Sequence, residues 1–374
     1  MLKVAVIHEY LTQYGGAEKT LEAIIELFPD APIYTSLYDP KNMSEKINKQ
    51  KIVCSSKGLI TKFPKYLSFL MPKVFESFDL RHYDLILSDG TAWAKGVLTT
   101  PEQLHISYIH TPPRFLYKYS VETQKRNSWY FKPFITLIDH FLRIWDYCAA
   151  QRPDYLISNS KEVQKRIKKF YGRDSIIIYP PVELAKDLTE GKKDNMKPPF
   201  YLALGRLAAY KNFNLLVQAF NLLGWPLVIA GTGKEEKALK KYAKANITFT
   251  GAVTEYDKAK YMSTCEGFIF PVVDEDFGIT VVEAMSYGKP ILAHRSGGPL
   301  ETIREGRDGM FFDEPKLDSF VEKLKEFDKN VRGNLYKADD IREHVQMYNK
   351  ERFKNEFYKF VMDKYLEYSP TNSR

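Results

Sequence analysis

Two carboxylates eight residues apart, Glu275 and Glu283, stand in Phe270–Pro290 (FPVVDEDFGITVVEAMSYGKP). The expected layout is a buried strand ending at Pro271, then a loop carrying Glu275, Phe277 and Gly278. A helix should start near Ile279 and end at Gly288. A helix start offers unpaired N–H groups to an anion, and a glycine lets a ligand come close. The carboxylates can accept hydrogen bonds from hydroxyls, such as those of a sugar and a ribose. A solvated acidic loop followed by a chance Glu is the plainer alternative. Upstream, FYLALGRL ends in Gly205–Arg206, and Lys211 follows five residues later. Two cations on one loop after a strand can neutralise a diphosphate and stabilise it as it leaves. Tyr14–Gly15–Gly16–Ala17–Glu18 follows the first strand, where paired glycines opening a helix permit close approach to phosphate. A flexible loop explains them as well. Gly231–Thr232–Gly233–Lys234 is a second glycine turn after a strand.

Together these strings resemble the retaining glycosyltransferases of the GT-B fold, group 1 (family 4) type. That family's usual motif is Glu-x-Phe-Gly-(Ile/Leu)-x-x-x-Glu-Ala-Met-x-x-Gly-x-Pro. Glu275, Phe277, Gly278, Ile279, Glu283, Ala284, Met285, Gly288 and Pro290 match it. The resemblance implies that Glu275 and the backbone around Phe277, Gly278 and Ile279 contact the donor sugar, while Glu283 binds the ribose. It gives Arg206 and Lys211 the diphosphate, places Gly15 and Gly16 near donor phosphate and acceptor, and puts Gly233 at the border of the nucleotide pocket. His110, in SYIHTPPRFLY, is either a structural histidine or one near the donor sugar or acceptor. Asp89, in LSDGTAWAKG, either contacts acceptor or opens a turn. HTPPRFLY is similar to bacterial O-antigen and lipopolysaccharide mannosyltransferases, so GDP-mannose is the first donor to try, with UDP-sugars close behind. Asp274–Glu275–Asp276 spells the Asp-x-Asp that holds a divalent metal in a different glycosyltransferase fold. With Arg206 and Lys211 supplying positive charge, no metal or other cofactor is expected.

Such residues need a scaffold that delivers them to strand ends. Candidate strands are Lys3–Ile7, Asp84–Leu87, His105–Tyr108, Tyr155–Ser158 and Ile176–Tyr179. A second set is Phe200–Leu204, Leu227–Ala230, Gly267–Phe270 and Pro290–Ala293. Apolar runs without alternation, separated by helical stretches, predict α/β architecture with parallel sheets buried on both faces. The expected organisation is a Rossmann-like acceptor domain over 1–185, a linker over 186–199 and a Rossmann-like nucleotide-sugar domain over 200–347. A helix over 348–374 would carry Phe353, Phe357, Phe360, Val361 and Tyr365 on one face. The resemblance adds a deep cleft between two facing domains, with that helix crossing back to the first.

Composition narrows the classes. The 374 residues include 44% hydrophobic and 27% charged, a globular balance that excludes general disorder. Three scattered cysteines fit a reducing compartment and argue against a disulfide framework or zinc site. No spanning segment is apparent, and the first apolar run is too short for a signal core, so a cytoplasmic location is expected. A net charge of +8 with 14% aromatics suits nucleic acid, an anionic bilayer or phosphorylated substrates. With no nucleic-acid motif, the expected partners are a nucleotide-sugar donor and a saccharide acceptor carried on a lipid. Lys57–Phe75, Trp129–Tyr147 and Lys161–Lys169 are either core and solvated faces or a peripheral contact with anionic membrane. The expected reaction moves a hexosyl group to a saccharide hydroxyl with retention. A GT-B sugar-nucleotide epimerase or phosphorylase, and a basic nucleic-acid-binding protein, are its rivals.

Overall fold

The computed structural model describes residues 2–55, 68–117, 132–185 and 199–368. The expected linker, apart from Pro199, lies outside them, as do residues 57–67 and 129–131 of the lysine-rich and aromatic stretches. The chain forms two compact units, Met1–Pro181 with Lys350–Arg374, and Val182–Asn349.

The first unit holds a seven-stranded parallel sheet of β1 (Val4–Leu11), β2 (Ile33–Tyr38), β3 (Ile52–Cys54), β4 (Leu85–Gly90), β5 (Leu104–Ile109), β6 (Tyr155–Ser158) and β7 (Ile176–Ile177). Their order is β3-β2-β1-β4-β5-β6-β7. β1 shows why the run is apolar throughout. Val4 and Val6 enter one core with Leu21, Ile24 and Ile25 of α1 (Gly16–Leu27), while Ala5 and Ile7 enter the opposite core with Phe75, Trp93 and Leu142. A strand covered on both faces has no solvent side to mark with polar residues. Helices α2 (Lys132–Ala149) and α3 (Lys161–Tyr171) belong to the same unit.

The second unit holds a six-stranded parallel sheet of β8 (Tyr201–Leu204), β9 (Leu227–Ala230), β10 (Ile247–Gly251), β11 (Gly267–Phe270), β12 (Ile291–His294) and β13 (Gly309–Phe312). The order is β10-β9-β8-β11-β12-β13. Both sheets therefore contain the 3-2-1-4-5-6 arrangement of doubly wound folds, in which ligands sit beyond the strand ends where the winding reverses. That point lies between β1 and β4 in the first sheet and between β8 and β11 in the second. Helices α4 (Phe213–Leu223), α5 (Glu255–Thr264) and α6 (Ile279–Ser286) follow β8, β10 and β11.

The last helix, α7 (Lys350–Tyr368), returns to the first unit. Phe353, Phe357 and Val361, spaced by four, are buried in the core of Val6, Leu87 and Ile106. At its start, Lys350 Nζ donates to Glu26 Oε1 of α1 (2.7 Å), which Lys46 Nζ also reaches (2.7 Å).

Four strands escape the sequence reading: β2, β3, β10 and β13. In β2, Thr35 and Ser36 look polar, but their hydroxyls donate to the Glu9 carbonyl (3.2 and 2.6 Å) and are fully buried. β3 (IVC) is only three residues long, and β10 (ITFTG) is an edge strand, which needs little apolar content. β13 opens with Gly309, where a Cβ would stand 2.0 Å from the Ile291 carbonyl oxygen. Of the two readings of Asp89, the one that has it open a turn past the strand is corrected. Asp89 lies inside β4, hydrogen-bonded in register with β1 and β5 and wholly buried.

Phe357 stacks on Phe353 (ring centroids 5.4 Å apart) and meets Tyr108 of β5 (6.3 Å). Phe357→Ala is expected to cost the first unit about 3–5 kcal/mol, read as a lower urea midpoint.

Candidate active site

At the winding reversal of the second sheet, β8 and β11 run side by side, with Gly267 opposite Tyr201 and Phe268 opposite Leu202. Their following loops are 205–212 and 271–278. Lys211 Nζ pairs with Glu275 Oε2 across them, both side chains largely shielded from water. The ammonium also lies over the rings of Tyr210 (5.1 Å) and Phe270 (5.7 Å). Arg206, more exposed, donates from Nη2 to the Tyr210 hydroxyl (3.0 Å), so the tyrosine stands between the two cations. Asn212, at φ 55°, donates from Nδ2 to the Pro271 carbonyl (3.1 Å) and ties one loop to the other.

Glycines set the spacing of these loops. Gly298 N–H donates to the Glu275 carbonyl (2.8 Å), and a Cβ on Gly297 (φ 66°) would lie 2.2 Å from that same oxygen. Ser296 Oγ accepts from Asp274 N–H (2.8 Å) and contacts His294 Nδ1 (2.7 Å). The loop after β12 thus backs the loop that carries Glu275. Gly231 and Gly233 have a comparable packing reason. A Cβ on either would stand 2.1–2.2 Å from the carbonyl oxygens of Gly205 and Leu207 respectively.

Gly278 (φ 89°) caps α6, and the helix starts at Ile279. Phe277 is buried with its ring against Tyr348 (5.5 Å), which leaves its backbone as the part able to face a ligand. Glu283, one turn into α6, is buried and accepts from Lys258 Nζ of α5 (3.0 Å). Lys258 also reaches Glu255 (2.6 Å). Lys211 and Glu275 are thus joined, Arg206 is linked to Lys211 through Tyr210, and Glu283 keeps a separate partner. Lys258 was missed from sequence, where one lysine in EYDKAKYMS carries no signal.

The first unit gathers a second set at its own reversal, between β1 and β4. His8 of β1 is in register with Asp89 of β4. An ionised carboxylate only accepts, so His8 Nδ1–H donates to Asp89 Oδ2 (2.9 Å). Its Nε2 is 3.7 Å from Glu18 Oε1. Glu18 Oε2 accepts from Gly15 N–H (2.8 Å), holding the Gly15–Gly16 turn at the start of α1. His110, just past β5, places Nε2 2.7 Å from Asp89 Oδ1, poorly aligned for a hydrogen bond. His110 thus meets the buried Asp89 directly, and the Gly15–Gly16 turn is linked to it through Glu18 and His8. Glu9 Oε1 accepts from the N–H groups of Thr91 (2.8 Å), Ala92 and Trp93 (2.6 Å), pinning the loop after β4. His8 and Glu9 were missed because their polarity seemed to end the first strand at Ile7, whereas it runs to Leu11.

Burial alone would depress the His8 pKa, but the hydrogen bonds to Asp89 and Glu18 outweigh it and raise the value to about 10. Burial would raise Asp89, yet His110 and His8 together hold it down to about 2. His110 is also raised, its burial outweighed by Asp89. The result is a largely buried cluster in which Asp89 and His8 hold each other charged and His110 is biased towards its charged form.

Residues 186–344 match the family model of glycosyl transferases group 1. That stretch of the second unit carries the signature of group 1 glycosyl transferases. The chain is 23% identical over 344 residues to the uncharacterized glycosyltransferase MJ1178 of Methanocaldococcus jannaschii, covering 88% of this chain and 89% of that one. It is 24% identical over 246 residues to the O-antigen chain mannosyltransferase C of Escherichia coli, covering 62% and 64%. Among solved structures, Anabaena Alr3699/HepE in complex with UDP and glucose superposes with a TM-score of 0.70 at 16% identity, over 97% of this chain and all of that one. That likeness is one of fold, and the glycosyltransferase has the two Rossmann-like domains of the GT-B type.

The ionised cluster makes the transferase's stability pH-dependent in a defined direction. The contribution of His8 is complete below its ordinary pKa of 6.5 and is lost as pH rises through about 10. His8→Gln should cost about 3–5 kcal/mol at pH 6. Its deficit in melting temperature should narrow steadily towards pH 10. A deficit constant across that range would mean that His8 is neutral in the fold.

Proposed function

We propose that this glycosyltransferase moves a hexosyl group from a nucleoside-diphosphate sugar, GDP-mannose or a UDP-sugar, to a saccharide hydroxyl with retention at the anomeric carbon. The acceptor is carried on a lipid, in synthesis of a bacterial surface polysaccharide of the O-antigen or lipopolysaccharide kind. The observation that carries the donor chemistry is the Lys211–Glu275 pair at the reversal of the second sheet. Support for the sugar comes from the mannosyltransferase of E. coli, and for a uridine donor from HepE, which holds UDP and glucose.

In this mechanism the C1–O bond to the diphosphate breaks and negative charge develops on the departing oxygens. Lys211, Arg206 and the free N–H groups at the start of α6 receive that charge. Glu275 holds the Lys211 ammonium in place and accepts from the sugar hydroxyls; Glu283 accepts from the ribose. The acceptor oxygen bonds C1 on the face the diphosphate leaves, and its proton passes to a diphosphate oxygen. The cations do the work of a metal, so none is required. His110 borders the sugar or acceptor, with Asp89 and His8 fixing its charge.

A thermal-shift panel of nucleoside diphosphates and their sugars identifies the donor, and proton NMR of the product reads the anomeric configuration. Lys211→Ala should lower turnover about 100- to 1,000-fold. Glu283→Gln should weaken nucleotide binding about tenfold. Near-normal transfer by the lysine variant removes it from the mechanism. An altered sugar nucleotide formed without acceptor would make the protein an epimerase, and a requirement for inorganic phosphate a phosphorylase.

A further inference from the structure

Helix α2 is apolar on two faces, with Ile138, Leu142 and Trp145 on the core side. Its two acids, Asp139 and Asp146, are buried. Asp146 accepts from Lys95 Nζ (2.6 Å) and from the Tyr117 hydroxyl (2.9 Å). Leu137, Phe141, Ile144 and Tyr147 instead face outward, 54, 62, 51 and 48% exposed. Steps of four, three and three residues align them in one stripe along the helix. Single exposed apolar residues are ordinary, but a continuous stripe of large ones marks a contact surface. The other exposed residues of α2, Thr136, His140 and Cys148, bring no negative charge.

A cationic surface adjoins the stripe. Gln151 Nε2 donates both to the Tyr147 carbonyl (3.2 Å) and to the Tyr171 carbonyl (3.1 Å), clamping the end of α2 to the end of α3. Ile144 and Tyr147 share a shallow depression with Phe170 of α3. On α3, Lys165, Lys168 and Lys169 are exposed, and they line an open basic depression with Arg173. Asp174, the acid in that lining, is taken by Lys168 (2.8 Å). Among the described residues no helix is long and apolar enough to cross a membrane, so any membrane contact they make is peripheral.

We propose that this face of the first unit docks on an anionic lipid bilayer. Phe141, Ile144 and Leu137 enter the acyl boundary, Tyr147 sits at the head-group level, and the α3 lysines meet lipid phosphates. Charge selects this occupant. An apolar stripe with no exposed acid of its own, flanked by a surface on which four cations face the single acid Asp174, is the pattern of interfacial helices. The inference deepens the lipid-linked acceptor of the proposed function and rests on that reading only for its purpose.

The test is co-sedimentation of the full chain with phosphatidylcholine vesicles, with and without phosphatidylglycerol, and with neither donor nor acceptor present. Binding is expected only with phosphatidylglycerol, and should weaken as salt is raised. Phe141→Glu with Ile144→Glu, and separately Lys165→Glu with Lys169→Glu, should each lower partitioning about tenfold or more. Leu222→Glu, at an exposed apolar position on α4 of the second unit, should leave it unchanged. Absence of binding, or equal binding by all variants, overturns the proposal. So does a dimer in vesicle-free buffer that Phe141→Glu disperses, which would assign the stripe to a second copy. A melting temperature lowered by Phe141→Glu would show that the chain's own residues cover the stripe, and also overturns it. Vesicle binding without any sugar transfer would leave this inference standing and sink the catalytic one.

Discussion

The proposed donor chemistry depends on one ion pair, Lys211 with Glu275, made by residues 64 positions apart in sequence. Nothing local could hold them together. Their meeting follows from β8 and β11 being neighbours while their connections run to opposite sides of the sheet. That leaves two adjacent loops with room between them. Backbone geometry then sets the loops finely, because Gly297 and Gly298 let the chain after β12 press on the carbonyls of Glu275 and Phe277. A side chain there would push the carboxylate off its lysine. A charged pair at such a place has two uses. It holds the ammonium in one orientation, and in the proposed reaction it would offer a diphosphate a cation already shielded from water.

The first unit solves a different electrostatic problem at the matching position of its sheet. Asp89 is wholly buried, and an uncompensated carboxylate there would be prohibitive. Two imidazoles on neighbouring strands meet its two oxygens, and Glu18 balances the outer nitrogen of His8. Since Glu18 also holds the Gly15 N–H, the glycine turn and His110 are mechanically connected through three side chains, Glu18, His8 and Asp89. Replacing such a network by apolar residues would usually stabilise a core. Its presence beside a ligand-binding strand end is therefore better explained by fixing the charge and ring position of His110 than by stability.

Much of this was legible in the sequence where chemistry and local pattern coincide. The doubly buried strands β1, β4, β9 and β11 announce themselves as unbroken apolar runs. The glycine cap at Gly278 and the start of α6 at Ile279 follow from helix-end rules. What escaped was information carried only by pairing across strands. Thr35 and Ser36 read as polar until the Glu9 carbonyl is seen to take both hydroxyls. Asp89 resembles a turn former until His8 is placed opposite it. Lys258 gains meaning only from Glu283 on another helix. In each case the missing partner lies 25 or more residues away.

Amphipathic periodicity has the same blindness in another form. The spacing of Leu137, Phe141 and Ile144 states that they share a helical face, but not whether that face points inward. For α7 the apolar face, Phe353, Phe357 and Val361, is the buried one. For α2 one apolar face, Ile138, Leu142 and Trp145, meets the core while a second stripe faces outward, and the cause of that setting lies on a different element. Lys95, itself buried, needs a carboxylate, and Asp146 supplies it. Turning Asp146 inward rotates Leu137, Phe141 and Ile144 outward, because residues separated by about half a helical turn cannot share a face. The fold therefore keeps an internal ion pair and an external apolar stripe as two consequences of one helix rotation. Exposing such a stripe to water is costly, and a bilayer bordered by anionic head groups removes that cost without altering the buried pair.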